Sequence, residues 1–176
     1  RGQWWRLFTA MWLHGDLAHL ATNAAIGLVL LGLAMGRYGT GAGLLAAYLA
    51  GAGGNLIGGL LSLQAHRSLG ASGMVMGSLG LLAVQSFSLW RQTPHAAKFM
   101  LSGICGGVML FVLFALTPGT DVMAHLGGFA SGLVLGALLN LVPAIAQMPK
   151  ANLLSGLVFA LLVIVPWWLA LRSAAS

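Results

Sequence analysis

Glutamate is absent from this chain of 176 residues, and its only acids are Asp16 and Asp121. With eight Lys and Arg residues added, charged side chains make up 6% of the total, against roughly 25% in a soluble domain. Charges this sparse exclude an ordinary water-exposed surface. There is a single cysteine, Cys105, and it lies in an apolar run, so neither a disulfide framework nor a cysteine metal cluster can form within the chain. The formal charge of +6 does not indicate nucleic acid, because the basic residues are scattered singly between apolar runs. That is the pattern of membrane-interface anchors rather than of a phosphate-binding face. What fills the chain instead is apolar: 59% of the residues are hydrophobic and the mean hydropathy is +0.95. The expected partner is a lipid bilayer.

A helix needs about 20 apolar residues to cross a bilayer. Six stretches qualify, at about 17–36, 42–63, 71–90, 99–117, 122–143 and 151–171. Turn chemistry separates them at Gly36 to Gly41, Gln64 to Ser68, Gln92 to Pro94, Thr117 to Thr120 and Pro149-Lys150. The connections are short, so neighbouring helices run antiparallel and leave no room for a second domain. The expected fold class is all-α, a polytopic transmembrane bundle of six spans. Residues 1–16 are too mixed to span, and Trp4, Trp5 and Trp12 suit an amphipathic interfacial loop lying among headgroups. No signal peptide or initiator methionine precedes Arg1, which suggests that the natural chain starts upstream. Basic residues divide almost evenly between the two sides. Arg37, Arg91, Lys98 and Lys150 fall on one side, expected to be cytoplasmic, with Arg1, Arg6, Arg67, Arg172 and both acids on the other.

Most polar residues within the spans are Ser, Thr or Gln that can bond back to their own helix. His19, Asn23, Ser72 and His125 resist that explanation, and all four fall near the non-cytoplasmic end of a span. His19 and Asn23 are four apart and share a helix face, either as an interhelical contact or as hydrogen-bond donors. In "AHLGGFASGLVLG", Gly128, Gly132 and Gly136 follow His125 at i+3, i+7 and i+11, so the imidazole heads a stripe of small residues. Such a stripe admits a neighbouring backbone but does not account for the histidine. Ser72 in "LGASGMVMG" has two readings. Gly73 and Gly77 form a GxxxG contact in which the serine is a space-saving passenger, or the serine is a nucleophile whose proton goes to an imidazole, with His125 the candidate base. Two acids in the whole chain leave little for a triad. Asp121 follows "TPGT" and is expected to cap a helix, so a dyad of Ser72 and His125 is favoured. Asn23, His19 and the Ser72 backbone N–H then supply donors for a developing oxyanion.

In the set "WWR" at Trp4 to Arg6, "HGDLAHLATN" at His14 to Asn23, "GASG" at Gly70 to Gly73 and "AHLGGFASG" at Ala124 to Gly132, the chain resembles the rhomboid family of intramembrane serine proteases. The motifs stand in the family's order over about residues 1–142. The resemblance implies cleavage of peptide bonds in or beside transmembrane segments of membrane-protein substrates, without cofactor or metal. Ser72 would be the nucleophile, His125 the general base, and His19 and Asn23 the oxyanion site. His14 would support the interfacial loop, and Gly70, Gly73 and Gly128 the close packing. It also implies a first helix preceding this chain, a catalytic bundle over 17–143, an additional C-terminal helix over 151–171, and a site open to the non-cytoplasmic side of a bacterial inner membrane. Two positions depart from the family pattern: Met76 stands where many members have a tyrosine against the catalytic histidine, and Met35 where many have a glutamate, with Arg37 kept. Two rivals remain. One is a rhomboid-like protein that binds membrane clients without cutting them, although such proteins usually lack the serine or the histidine. The other is a metal transporter using His14, His19 and His125, which would lack intramembrane carboxylates.

Overall fold

The apolar runs become helices whose ends are set by the turn chemistry between them. The computed structural model describes residues 2–61, 68–90 and 121–175. In chain order the helices are α1 (Arg6–Thr9), α2 (Leu17–Tyr38), α3 (Thr40–Leu61), α4 (Ser72–Trp90), α5 (Val122–Asn140) and α6 (Pro149–Ala175). Short 3₁₀ turns occupy Ala10–Trp12 and Pro143–Gln147, and no strand occurs among the described residues. Helices α2, α3, α5 and α6 are long and apolar enough to cross a membrane, and the apolar part of α4, Ser72–Gln85, is shorter. The all-α membrane bundle read from the sequence is therefore the observed fold. The expected span at 99–117 and Cys105 lie outside the described residues.

Several boundaries differ from expectation by a few residues, and at two of them proline chemistry explains the difference. The run expected at 122–143 leaves helical geometry at Asn140, ahead of Pro143, which opens a 3₁₀ turn. Pro149, read as part of a break, instead begins α6, where its missing N–H removes a donor that has no intrahelical partner anyway.

Only Gly39 separates α2 from α3, and its φ of +90° is a conformation that residues with a Cβ rarely adopt. The first turn of α3 is then capped from far along the chain. Asn152 of α6 accepts the N–H groups of Gly41 and Ala42 at 3.1 and 3.3 Å, while its amide donates to Ile145 and Ala146 carbonyls at 3.2 and 3.1 Å. One side chain thereby satisfies donors of α3 and acceptors of the turn before α6. At the same end of the bundle, the Tyr38 hydroxyl donates to the Leu81 carbonyl at 2.8 Å and ties α2 to α4.

The centre of the bundle is a backbone-to-backbone contact between α4 and α5. A Cβ on Gly128 would stand 3.1 Å from the Cα of Gly73, one on Gly132 2.9 Å from the Cα of Gly77, and one on Gly136 3.1 Å from the Cα of Leu81. The stripe on α5 thus meets every fourth residue of α4, and helices in such contact gain dispersion energy and weak Cα–H···O bonds. Gly132→Ala is expected to force the helices apart and to cost about 1–3 kcal/mol, read as a lowered unfolding midpoint in mixed detergent micelles. Gly32→Ala, where an added Cβ meets nothing within 4 Å, is the matched control and is expected to be neutral or slightly stabilising. Outside this core the helices present large apolar side chains, such as Leu28, Val134 and Leu161, that are more than half exposed. In a bilayer that surface faces lipid.

Ahead of α2, the interfacial segment docks on the bundle instead of lying free of it. Met11 is buried in a cluster with Tyr48 and Ala52 of α3, against which Met74 of α4 and Phe159, Leu162 and Val163 of α6 also pack. Trp4 and Trp12 stay about half exposed, at 48% and 49%, as interfacial anchors require.

Candidate active site

Three helix N-termini converge at one end of the bundle: those of α2, α4 and α5. Two begin with an aspartate cap. Asp16 accepts the His19 N–H at 2.7 Å, and Asp121 accepts the Ala124 N–H at 3.0 Å. The second cap was expected from the sequence. The first was missed, although an Asp three residues before His19 at the start of an apolar run was the available signal.

His125 is 2% exposed, one turn into α5. Its Nδ1 lies 2.6 Å from the backbone carbonyl oxygen of Asp121. A carbonyl oxygen can only accept, so Nδ1 carries the proton, and in the neutral ring Nε2 is left with its lone pair free. A peptide carbonyl therefore fixes the orientation of the ring. The Asp121 carboxylate is engaged instead with the Ala124 N–H, as a helix cap.

The half-buried Ser72 opens α4 between two glycines that touch different neighbours. Two residues before it, Gly70 is buried with a φ of +107°, and a Cβ there would stand 2.6 Å from His19 Nε2 and 3.4 Å from Asn23 Nδ2. Immediately after it, the backbone of Gly73 meets α5 at Gly128 and comes near the Ala124 carbonyl. The turn carrying Ser72 is therefore held against the His19 and Asn23 pair on one side and against the helix of His125 on the other. The glycines of "GASGMVMG" make the packing contact read from the sequence, and that contact sets the serine between the two sets of polar groups. Among the described residues no hydrogen bond joins the Ser72 hydroxyl to His125. Catalytic hydrogen bonds are commonly long in a free enzyme and close when substrate binds.

Asn23 is buried, and its amide donates to the His19 carbonyl at 3.0 Å, which fixes the side chain and leaves a second N–H to donate. The His14 ring meets that of His19 edge to face, with centroids 5.1 Å apart, and its Nε2 accepts the Ala71 N–H at 3.5 Å. His14 thus touches the turn before Ser72 itself, as does Ala10, whose carbonyl accepts the Gly70 N–H at 3.1 Å. Ala10 gave no signal in the sequence, because its backbone does the work. Met76 lies 2% exposed in a core cluster with Leu30, Val75 and Leu79, and Phe129, one turn beyond His125, packs against the same cluster. Among the described residues, no group of three or more His, Cys, Asp or Glu side chains is placed to hold a metal ion.

Residues 1–141 match the family model for the rhomboid domain. RHOMBOID-like protein 1 of Arabidopsis thaliana is 32% identical over 150 residues, covering 84% of this chain and 38% of the relative. Rhomboid protease GluP of Bacillus subtilis is 33% identical over 169 residues, covering 93% of this chain and 31% of the relative. Rhomboid-type serine protease 2 of Emericella nidulans is 32% identical over 142 residues, covering 76% of this chain and 26% of the relative. The chain spans less than half the length of each of these three proteins. No solved structure matches it. With four helices fit to cross a membrane, and with that domain covering most of its length, this chain is an integral membrane protein and belongs to the rhomboid family.

Proposed function

We propose that the chain is an intramembrane serine endopeptidase that hydrolyses peptide bonds in or next to transmembrane segments of membrane proteins, using Ser72 as nucleophile and His125 as general base. The observation that carries the proposal is the bond from His125 Nδ1–H to the Asp121 carbonyl, which leaves Nε2 as acceptor on a helix whose backbone abuts Gly73. Two of the three relatives described above carry protease in their names, which supports the same class of reaction.

The chemistry follows acyl transfer. As Ser72 Oγ attacks the scissile carbonyl carbon, its proton passes to His125 Nε2, and the carbonyl oxygen becomes an oxyanion. The second N–H of Asn23, a ring N–H of His19 and the Ser72 backbone N–H are the donors for that charge, and the Asn23 amide is held by its bond to the His19 carbonyl before the reaction begins. His125 then returns the proton to the leaving amine, and a second cycle with water releases the acyl group and restores the serine. A peptide bond inside a helix is covered by its own hydrogen bonding, so the substrate unwinds locally where small residues weaken its helix.

Residues 17–143 would form the catalytic bundle, 1–16 its interfacial loop and 151–171 the additional helix. Arg37 and Lys150 lie at the end of the bundle opposite the site, which supports an orientation with Ser72 facing the non-cytoplasmic side, and the likeness to a Bacillus subtilis protein supports a bacterial cytoplasmic membrane. Reconstitution in liposomes with a transmembrane reporter carrying a Gly-rich segment tests the reading. Cleavage within or beside the segment that is lost with Ser72→Ala is expected; reporter binding without cleavage would favour the client-binding alternative.

A further inference from the structure

The additional helix carries no catalytic group, yet it bonds to the segment that holds the catalytic turn. The contact is Tyr48 of α3, which is 1% exposed. Its hydroxyl donates to the Leu162 carbonyl of α6 at 3.4 Å and accepts the indole N–H of Trp12 at 3.2 Å. Around its ring stand Phe8 at 5.7 Å, Trp12 at 6.4 Å and Phe159 at 5.0 Å between centroids. One side chain therefore fastens the interfacial segment to both α3 and α6.

Trp12 lies between the two residues of that segment that bond to the catalytic turn. Two residues before it, the Ala10 carbonyl accepts the Gly70 N–H; two after it, His14 Nε2 accepts the Ala71 N–H. Both amides belong to the residues just ahead of Ser72. We propose that Tyr48 is a positioning residue for Ser72, acting through the Ala10–His14 segment, and that α6 assists the reaction by holding the Tyr48 hydroxyl. The inference rests on the reading of Ser72 as nucleophile. The position of a nucleophile matters steeply, since a displacement of about 1 Å can cost about 10²-fold in rate.

Tyr48→Phe keeps the ring and its packing and removes only the hydroxyl. Tyr38→Phe is the control, because it also loses a buried hydrogen bond to a backbone carbonyl, Leu81 at 2.8 Å, but at the far end of α2. That position is about 29 Å from His19 along the helix, at 1.5 Å per residue. The rate of Ser72 phosphonylation by a fluorophosphonate, in which Oγ displaces fluoride from phosphorus, is expected at saturating probe to fall on the order of tenfold in Tyr48→Phe, with half-saturation unchanged. Tyr38→Phe should stay within about twofold, as expected for a distant site. Trp12→Phe should reproduce the Tyr48→Phe loss, and the double variant should add little, because both act on one bond. An equal loss in Tyr38→Phe, or none in Tyr48→Phe, would overturn the proposal. Hydrogen exchange at the Gly70 and Ala71 amides reads the same tether without any activity. Faster exchange in Tyr48→Phe alone supports it even in protein that takes no label, so failure of the nucleophile reading and failure of the tether are told apart; unchanged exchange there would overturn it.

Discussion

His125→Ala is expected to lower turnover by about 10⁴-fold or more, and Ser72→Ala to leave no turnover above that of water and the remaining donors. The size of the first effect follows from the Nδ1–H bond to the Asp121 carbonyl. That bond holds the ring in the tautomer with Nε2 free to take a proton, whereas His14 Nε2 already accepts the Ala71 N–H. Ser72→Ala removes a single oxygen from a half-buried position, so a loss of activity there reports chemistry and not folding. His125 is almost fully buried, so its alanine variant requires a check of the unfolding midpoint beside the rate. With Ser72 and His125 proposed to act as a unit, the double variant is expected to be no worse than Ser72→Ala alone. A Ser72→Ala protein that still cleaves the reporter would remove this site from the reaction.

Asn23→Ala is expected to reduce kcat by about 10²- to 10³-fold, or about 2.7–4 kcal/mol, with KM little changed. Its amide is already bonded to the His19 carbonyl at 3.0 Å, so the donor it offers to an oxyanion needs no reorganisation when charge develops. A Cβ on Gly70 would stand 2.6 Å from His19 Nε2 and 3.4 Å from Asn23 Nδ2, which places the residue two before Ser72 beside both side chains. Raised KM at constant kcat would mean that Asn23 serves substrate binding instead. Unchanged kinetics would leave it as a structural pair with His19.

The helices were legible because a membrane-spanning helix needs nothing but length and apolarity, and the α5 stripe because four-residue spacing puts glycines on one face. Which neighbour that stripe meets was not legible, since Gly128 against Gly73 and Gly132 against Gly77 are tertiary contacts. The Asp121 cap could be read from its place before an apolar run, and the Asp16 cap was hidden because its segment was read as interfacial. Asn152 capping α3 across 110 residues has no local signal at all. The same holds for Tyr48, which looks in the sequence like any aromatic residue in an apolar helix, and for the Ala10 carbonyl. Of the candidate site, the identities of Ser72, His125, His19 and Asn23 were suggested by polar residues unexplained in lipid. Their convergence depends on glycine contacts that only the folded chain displays.

The most direct test is to treat the purified membrane-embedded protein with a fluorophosphonate, digest it, and locate the modified residue by mass spectrometry, with Ser72→Ala and His125→Ala treated alongside. Modification of Ser72 alone, absent from both variants, is the expected result. Folded protein that takes no label, or takes it at Ser72 equally well without His125, would contradict an activated serine at this site.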